Sequence, residues 1–137
     1  MLQKNNIINE VKKVLDLFID YDGDIDDIAE KISELLEIKL TKKIDEFNEK
    51  YNFYFMDIEF LLYGNHELED DCDIPFSEYQ YQMQLIKLRV GEKYKSYDRM
   101  YNNIAEFLME KISDEFNANV MLVDNLQTIV SSSVPVK

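Results

Sequence analysis

Residues 53–63 read Phe53-Tyr54-Phe55-Met56-Asp57-Ile58-Glu59-Phe60-Leu61-Leu62-Tyr63. Here the apolar period drops to two. Tyr54, Met56, Ile58, Phe60 and Leu62 fall on one face, and Phe53, Phe55, Asp57, Glu59, Leu61 and Tyr63 on the other. The alternation predicts one long, aromatic-rich strand with a polar centre at Asp57 and Glu59, ended by Gly64-Asn65. An acidic loop follows over 65–77, then a second strand from about Glu78 to Val90. In that strand Tyr79, Tyr81, Met83 and Leu85 alternate with Gln80, Gln82 and Gln84, before the apolar phase moves to Ile86, Leu88 and Val90 with Lys87 and Arg89 opposite. Such a change of phase predicts either a β-bulge or a strand that passes from one packing environment to another. The two strands are expected to pair antiparallel.

On either side the period is helical. Ile7, Ile8, Val11, Val14, Leu15, Phe18 and Ile19 recur at steps of three and four, predicting a helix from about Asn6 to Asp20 that breaks at Tyr21-Asp22-Gly23. Asp24 then caps a second helix carrying Ile25, Ile28, Ala29, Ile32, Leu35 and Leu36, with Asp26 and Asp27 at its positive end. Leu40, Ile44, Phe47 and Tyr51 continue the spacing. They predict either one helix reaching Tyr51 or a break near Ile38 to Leu40 and a third helix capped by Thr41, and the break is preferred. After Gly91, Ser96 is placed to cap a helix from Tyr97 to Phe116 with the stripe Tyr97, Met100, Tyr101, Ile104, Phe107, Leu108, Ile112 and Phe116. Val120–Val123, the turn Asp124-Asn125 and Leu126–Val130 predict a short hairpin, and residues 131–137 a flexible tail. The expected fold is a single α+β domain over residues 1–130: an antiparallel sheet of about four strands with helices packed on one face, in the order α-α(-α)-β-β-α-β-β.

The chain has 137 residues, enough for one domain with a sizeable core, and 46% of them are hydrophobic, too many for a disordered acidic tail. One cysteine, Cys72, excludes an intramolecular disulfide and any multi-cysteine zinc site. The first residues show no basic-then-apolar leader, and no apolar stretch approaches a membrane span, so the expected address is cytoplasmic. Asp and Glu number 28 against 15 Lys and Arg, a net charge of −13. That charge is concentrated. Between Lys13 and Lys31 stand Asp16, Asp20, Asp22, Asp24, Asp26, Asp27 and Glu30 with no base. Between Lys50 and Lys87 stand Asp57, Glu59, Glu67, Glu69, Asp70, Asp71, Asp73 and Glu78, again with none. The remaining 13 acids face all 15 bases, so the rest of the chain is near neutral.

Little catalytic machinery is visible. His66 and Cys72 could be imagined as a nucleophilic pair, but the surrounding carboxylates disfavour a thiolate. Asp20 to Asp27 invites a calcium reading, yet the EF-hand spacing fails: a loop started at Asp20 has Ile25 where glycine belongs and Lys31 where a bidentate Glu belongs. Asp57 and Glu59 side by side on a strand would suit a two-metal site, but no base follows before Lys87. Three glycines, Gly23, Gly64 and Gly91, make no phosphate loop. No cofactor and no metal is expected, the lack of a basic footprint makes nucleic acid an unsuitable partner, and no membrane partner is expected without a span-length apolar stretch.

What remains is a surface. Asp57, Glu59, Gln80, Gln82 and Gln84, flanked by Phe53, Phe55, Leu61 and Tyr63, would form an outer hairpin face suited to a protein partner. In overall composition the chain resembles the general type of toxin-immunity proteins and nucleic-acid-mimicking inhibitors, and no motif marks one family among them. The resemblance implies a non-enzymatic domain that neutralises a basic protein such as a nuclease or other toxin. Asp57, Glu59, Glu67, Glu69, Asp70, Asp71 and Asp73 would steer and pair with it, and Tyr63 and Phe55 would anchor it. Two other expectations stand beside this one: a cation-dependent enzyme or cation-binding protein using the clustered carboxylates, and a homodimer joined through the aromatic sheet face.

Overall fold

The structure is a computed structural model that describes residues 13–44, 49–64, 66 and 68–135. Among the described residues the chain is α+β, with one antiparallel sheet of seven strands and two α-helices. The strands are β1 (Val14–Asp20), β2 (Thr41–Ile44), β3 (Glu49–Phe55), β4 (Ile58–Tyr63), β5 (Tyr81–Lys87), β6 (Asn119–Asp124) and β7 (Thr128–Ser133). The helices are α1 (Ile25–Leu36) and α2 (Asp98–Phe116). Across the sheet the order is β2-β3-β4-β5-β1-β6-β7.

The largest departure from the sequence expectation is β1. Val14–Asp20 is an interior strand, between β5 and β6, and not the end of a first helix, while residues 6–12 of that expected helix lie outside the described residues. An interior strand covered on both faces reads as an almost unbroken apolar run, and within it steps of three and four arise without any helix. Leu15, Leu17 and Ile19 point to one face and Asp16 and Phe18 to the other, all at most 3% exposed. The expected third helix is likewise absent, since Thr41–Ile44 and Glu49–Phe55 are strands. α1 itself spans the expected residues and ends at Glu37, whose left-handed backbone lets its amide reach the Ser33 carbonyl.

The expected single strand 53–63 is two. β3 and β4 form a hairpin whose turn residues, Met56 and Asp57, both have positive φ (51° and 63°), the geometry of a tight type I′ connection. Pairing Phe53 with Phe60 and Tyr54 with Glu59 reverses the predicted faces: Phe53 shares the face of Phe60, and Tyr54 that of Glu59. β5 pairs with β4 and with β1 in unbroken register through Lys87, so the phase change at Ile86 marks no bulge. The irregularity lies instead between Leu122 and Val123, where β7 holds one extra residue, Val130. Ser131–Ser133 belongs to β7, which takes in the first part of the expected tail.

Both helices cover one face. Ile28, Ala29 and Ile32 of α1 and Tyr101, Ala105, Leu108, Met109, Ile112 and Phe116 of α2 pack on Leu15, Leu17, Ile19, Phe60, Leu62, Met83, Leu85 and Leu122. The second face carries a smaller core, in which Ile74 and Phe76 of the β4–β5 connection close over Phe18, Met121 and Val123. α2 starts one residue later than expected, on a 3-10 turn over Glu92–Tyr97, and no side chain among the described residues caps it.

Two polar contacts explain what the period could not. Lys87 occupies a helix-side position of β5, only 3% exposed, because its ammonium pairs with Asp98 and donates to the Tyr94 carbonyl at 3.1 Å. The Tyr101 hydroxyl accepts from the Leu15 amide at 2.7 Å and donates to the Leu85 carbonyl at 2.6 Å, joining α2 to β1 and β5. Removing that hydroxyl leaves a buried amide and a buried carbonyl without it. Tyr101→Phe should therefore cost about 1–3 kcal/mol in urea denaturation, and an unchanged midpoint would show the bridge to be dispensable.

Candidate functional site

The antiparallel register gives the sheet two distinct ends. Ile19 pairs with Tyr81, Asp20 with Asn119, and Tyr63 with Gln82, so the C-terminal end of β1 lies beside the start of β5 and the end of β4. The turn into α1 and the whole β4–β5 connection therefore meet at that end. Gly64 confirms the approach: a Cβ there would lie 2.9 Å from the Ile25 Cδ1, so glycine is what lets β4 finish against the first residue of α1. The Tyr81 hydroxyl closes the junction by donating to the Gly23 carbonyl.

Through this convergence Asp20 of the first acid block and Glu78 of the second both act on Tyr79, with other acids of each block exposed on the turn into α1 and along the connection. Asp20, Asp22 and Asp24 come from the first block and Glu69, Asp70, Asp71, Asp73 and Glu78 from the second, and all are exposed. Tyr79 lies where the blocks meet. Burial raises its hydroxyl above the usual range, and the charges of Glu78 and Asp20, one from each block, raise it further. Burial likewise raises Tyr81, helped by Asp24, Asp27 and Asp22.

Several of these carboxylates already have structural work. Asp24 accepts from the Asp27 amide at 2.8 Å as the cap of α1, and Asp27 accepts from the Tyr21 hydroxyl, which burial and that bond push up to about 12. Asp26 is held below its usual value by the Tyr51 hydroxyl and by Lys42, whose ammonium lies 2.9 Å away. Asp70 accepts from the Ser77 amide at 2.8 Å, which lowers it too, and Asp71 from the Cys72 amide at 2.9 Å. Cys72 and Asp73 are the left-handed pair (φ 52° and 62°) of a tight turn closed by Asp71 and Ile74. Asp20, Asp22, Glu69, Asp73 and Glu78 have no ion pair among the described residues.

Other expected site residues go elsewhere. Asp57 sits in the β3–β4 turn at the opposite end, with Arg89 Nε 3.3 Å from its Oδ1, so it neither shares a strand face with Glu59 nor belongs to the acidic end. Glu59 accepts from Tyr54 at 3.1 Å and Asn52 at 3.4 Å on the second face. Tyr63, Leu61, Gln82 and Gln84 share that face as expected, whereas Phe53 stacks on Phe60 on the helix side and Phe55 lies half-exposed beside it. Glu67 lies outside the described residues. The sequence reading passed over Asp20, Asp22 and Glu78 as site residues because only the strand pairing brings them to the loop.

The histidine of the acidic connection is tied into its fold. His66 spends both ring nitrogens on backbone: Nδ1 accepts from the Leu68 amide at 2.9 Å, which leaves Nε2 to donate to the Tyr79 carbonyl at 2.7 Å. Its ring stands edge-on to Phe18 and serves to fold the connection. Among the described residues no three His, Cys, Asp or Glu side chains are grouped to hold a metal ion. No described helix is long and apolar enough to cross a membrane. No family model, no curated protein and no solved structure matches this chain.

Proposed function

We propose that the protein is a binding domain whose acidic end receives a basic protein partner, as an inhibitor or immunity-type protein would. The observation that carries this reading is the meeting of exposed acids from two acid-only blocks, Asp20 and Glu78, about Tyr79 at one end of the sheet. Carboxylates concentrated without cations among them set up a field of one sign, which speeds encounter with a cationic surface and orients it on arrival. Tyr79 and the exposed backbone of the connection supply contact area at the centre of the patch.

The patch also says which carboxylates to change. Asp24, Asp70 and Asp71 cap or tie backbone, and Asp73 occupies a left-handed position, so their replacement would disturb the fold as well as the field. Asp22, Glu69 and Glu78 are exposed and have no ion pair among the described residues. Native-cell lysate passed over the wild-type protein at low salt should yield a basic protein. The same protein should be lost at high salt and lost from a D22K/E69K/E78K bait, but kept by E92K at the opposite end of the sheet. Equal capture by all three baits would reject the acidic end as the binding surface.

A further inference from the structure

A second site lies away from the acids. Leu36 and Ile38 at the end of α1, Phe53, Phe55 and Phe60 of the β3–β4 hairpin, and Ile104, Phe107 and Leu108 of α2 line a cleft of about 150 Å³. All eight side chains are apolar, and Phe55 and Phe107 stand 50% and 54% exposed at its rim. A dry cavity of this size lined by Leu, Ile and Phe accepts a benzene-sized apolar body. Phe107 and Ile104 are shared with an open shelf that continues along α2 past Asn103 and Met100 to Arg99 and Ser96. Arg99, Asn103 and Phe107 are four residues apart in turn and so form one row on the helix, about 12 Å from end to end at 1.5 Å per residue.

The charge along that row changes as well. Arg99 is exposed and has no carboxylate partner among the described residues. It stands where the chain is basic: from Lys87 to Arg99 there are five bases, Lys87, Arg89, Lys93, Lys95 and Arg99, against Glu92 and Asp98. Asp98 responds to this surplus. Its carboxyl is held below the usual range by the Lys87 hydrogen bond and also by Lys13 and Lys95. The molecule is thus polar end to end, with acids at the β1–α1 turn and bases at the start of α2.

We infer that this cleft and shelf bind a small anionic amphiphile, a carboxylate on a short-to-medium acyl chain, with the tail in the cleft against Phe53, Phe60 and Leu108 and the head at the Arg99 guanidinium. A planar guanidinium suits a carboxylate in bidentate fashion, and an apolar pit alone would give no reason for a cation at the far end of the same row. The inference is independent of the acidic end.

Octanoate and octanol, titrated into the full chain by calorimetry, separate the parts of the site. Octanoate should bind saturably and raise the melting temperature, and Arg99→Ala should weaken it about fivefold while leaving octanol unaffected. Ile104→Trp, which fills the pit, should abolish both. Methyl resonances of Ile38, Ile104 and Leu108 should shift on octanoate addition even if the tryptophan variant folds poorly. Absence of saturable octanoate binding, binding that survives Ile104→Trp in a folded variant, or equal octanoate affinity in Arg99→Ala would each overturn the assignment. So would a dimer in light scattering that Phe107→Glu dissociates, because the cleft would then be covered by a second copy.

Discussion

Replacing Phe18 by alanine should cost about 3–5 kcal/mol, the range for a fully buried phenylalanine, and should release the acidic connection before the rest of the protein. Phe18 is 0% exposed on β1, an interior strand of the sheet. Its ring lies 4.9 Å from that of Phe76 and 5.5 Å from that of His66, centroid to centroid. With Ile74, Met121 and Val123 it makes the small core that holds the β4–β5 connection to the sheet. The helix-covered face has its own larger core, so the loss falls first on the connection. Hydrogen exchange at the amides of Leu68, Ile74 and Ser77 should accelerate far more than at Leu17 or Leu122. Uniform acceleration would mean that the two faces unfold as one unit. Faster exchange confined to the connection would show that the acids at the sheet end depend on an aromatic anchor beneath them.

Asp16→Asn should stabilise the protein at neutral pH, although it removes a charge from a hydrogen-bonded carboxylate. Asp16 is 1% exposed on the second face of β1; Oδ1 accepts from the Gln82 amide at 2.8 Å, while Oδ2 is buried with no hydrogen-bond partner among the described residues. Burial pushes this carboxyl up to about 6, against a smaller lowering by Gln82. The sign follows from linkage. A group that holds its proton more tightly folded than unfolded contributes stability in full below its unfolded value near 4, and that contribution disappears as the pH rises through 6. Two units correspond to roughly 3 kcal/mol. Asparagine does not titrate and keeps an oxygen for Gln82, although its new amide donor sits where Oδ2 found no partner. The net gain at pH 7.5 should be about 1–3 kcal/mol. The difference in urea stability between wild type and variant should be small at pH 4, open between pH 4 and 6, and then level off. A variant less stable than wild type at pH 7.5 would mean that the carboxylate is ionised and satisfied.

The sequence made some elements plain and hid others for identifiable reasons. α1 and α2 are each amphipathic over several turns, which makes their period hard to mistake. β4, β5 and the β6–β7 hairpin were also legible, because alternation or a turn marked them. β1 was not, since burial on both faces erases alternation. The β3–β4 turn was hidden because Met56-Asp57 replaces the usual glycine-containing pair, and Cys72-Asp73 hides another in the same way. Missing the first of these turns misplaced a site residue. Read as mid-strand, Asp57 appeared beside Glu59; as a turn residue it is carried to the opposite end and paired with Arg89. The segmental charge count locates the acid blocks but does not separate a cap such as Asp24 from an acid such as Asp22 that has no ion pair among the described residues.

The functional account rests on the acidic end acting as a unit on a basic partner. Its most direct measurement is the association rate with the captured partner, for wild type and for D22K/E69K/E78K, at low and at physiological ionic strength. The account expects the wild-type rate to fall about tenfold between the two conditions, the variant to associate slowly at both, and dissociation to change less than association. A wild-type rate indifferent to salt, or a variant that associates as fast as wild type, would contradict it.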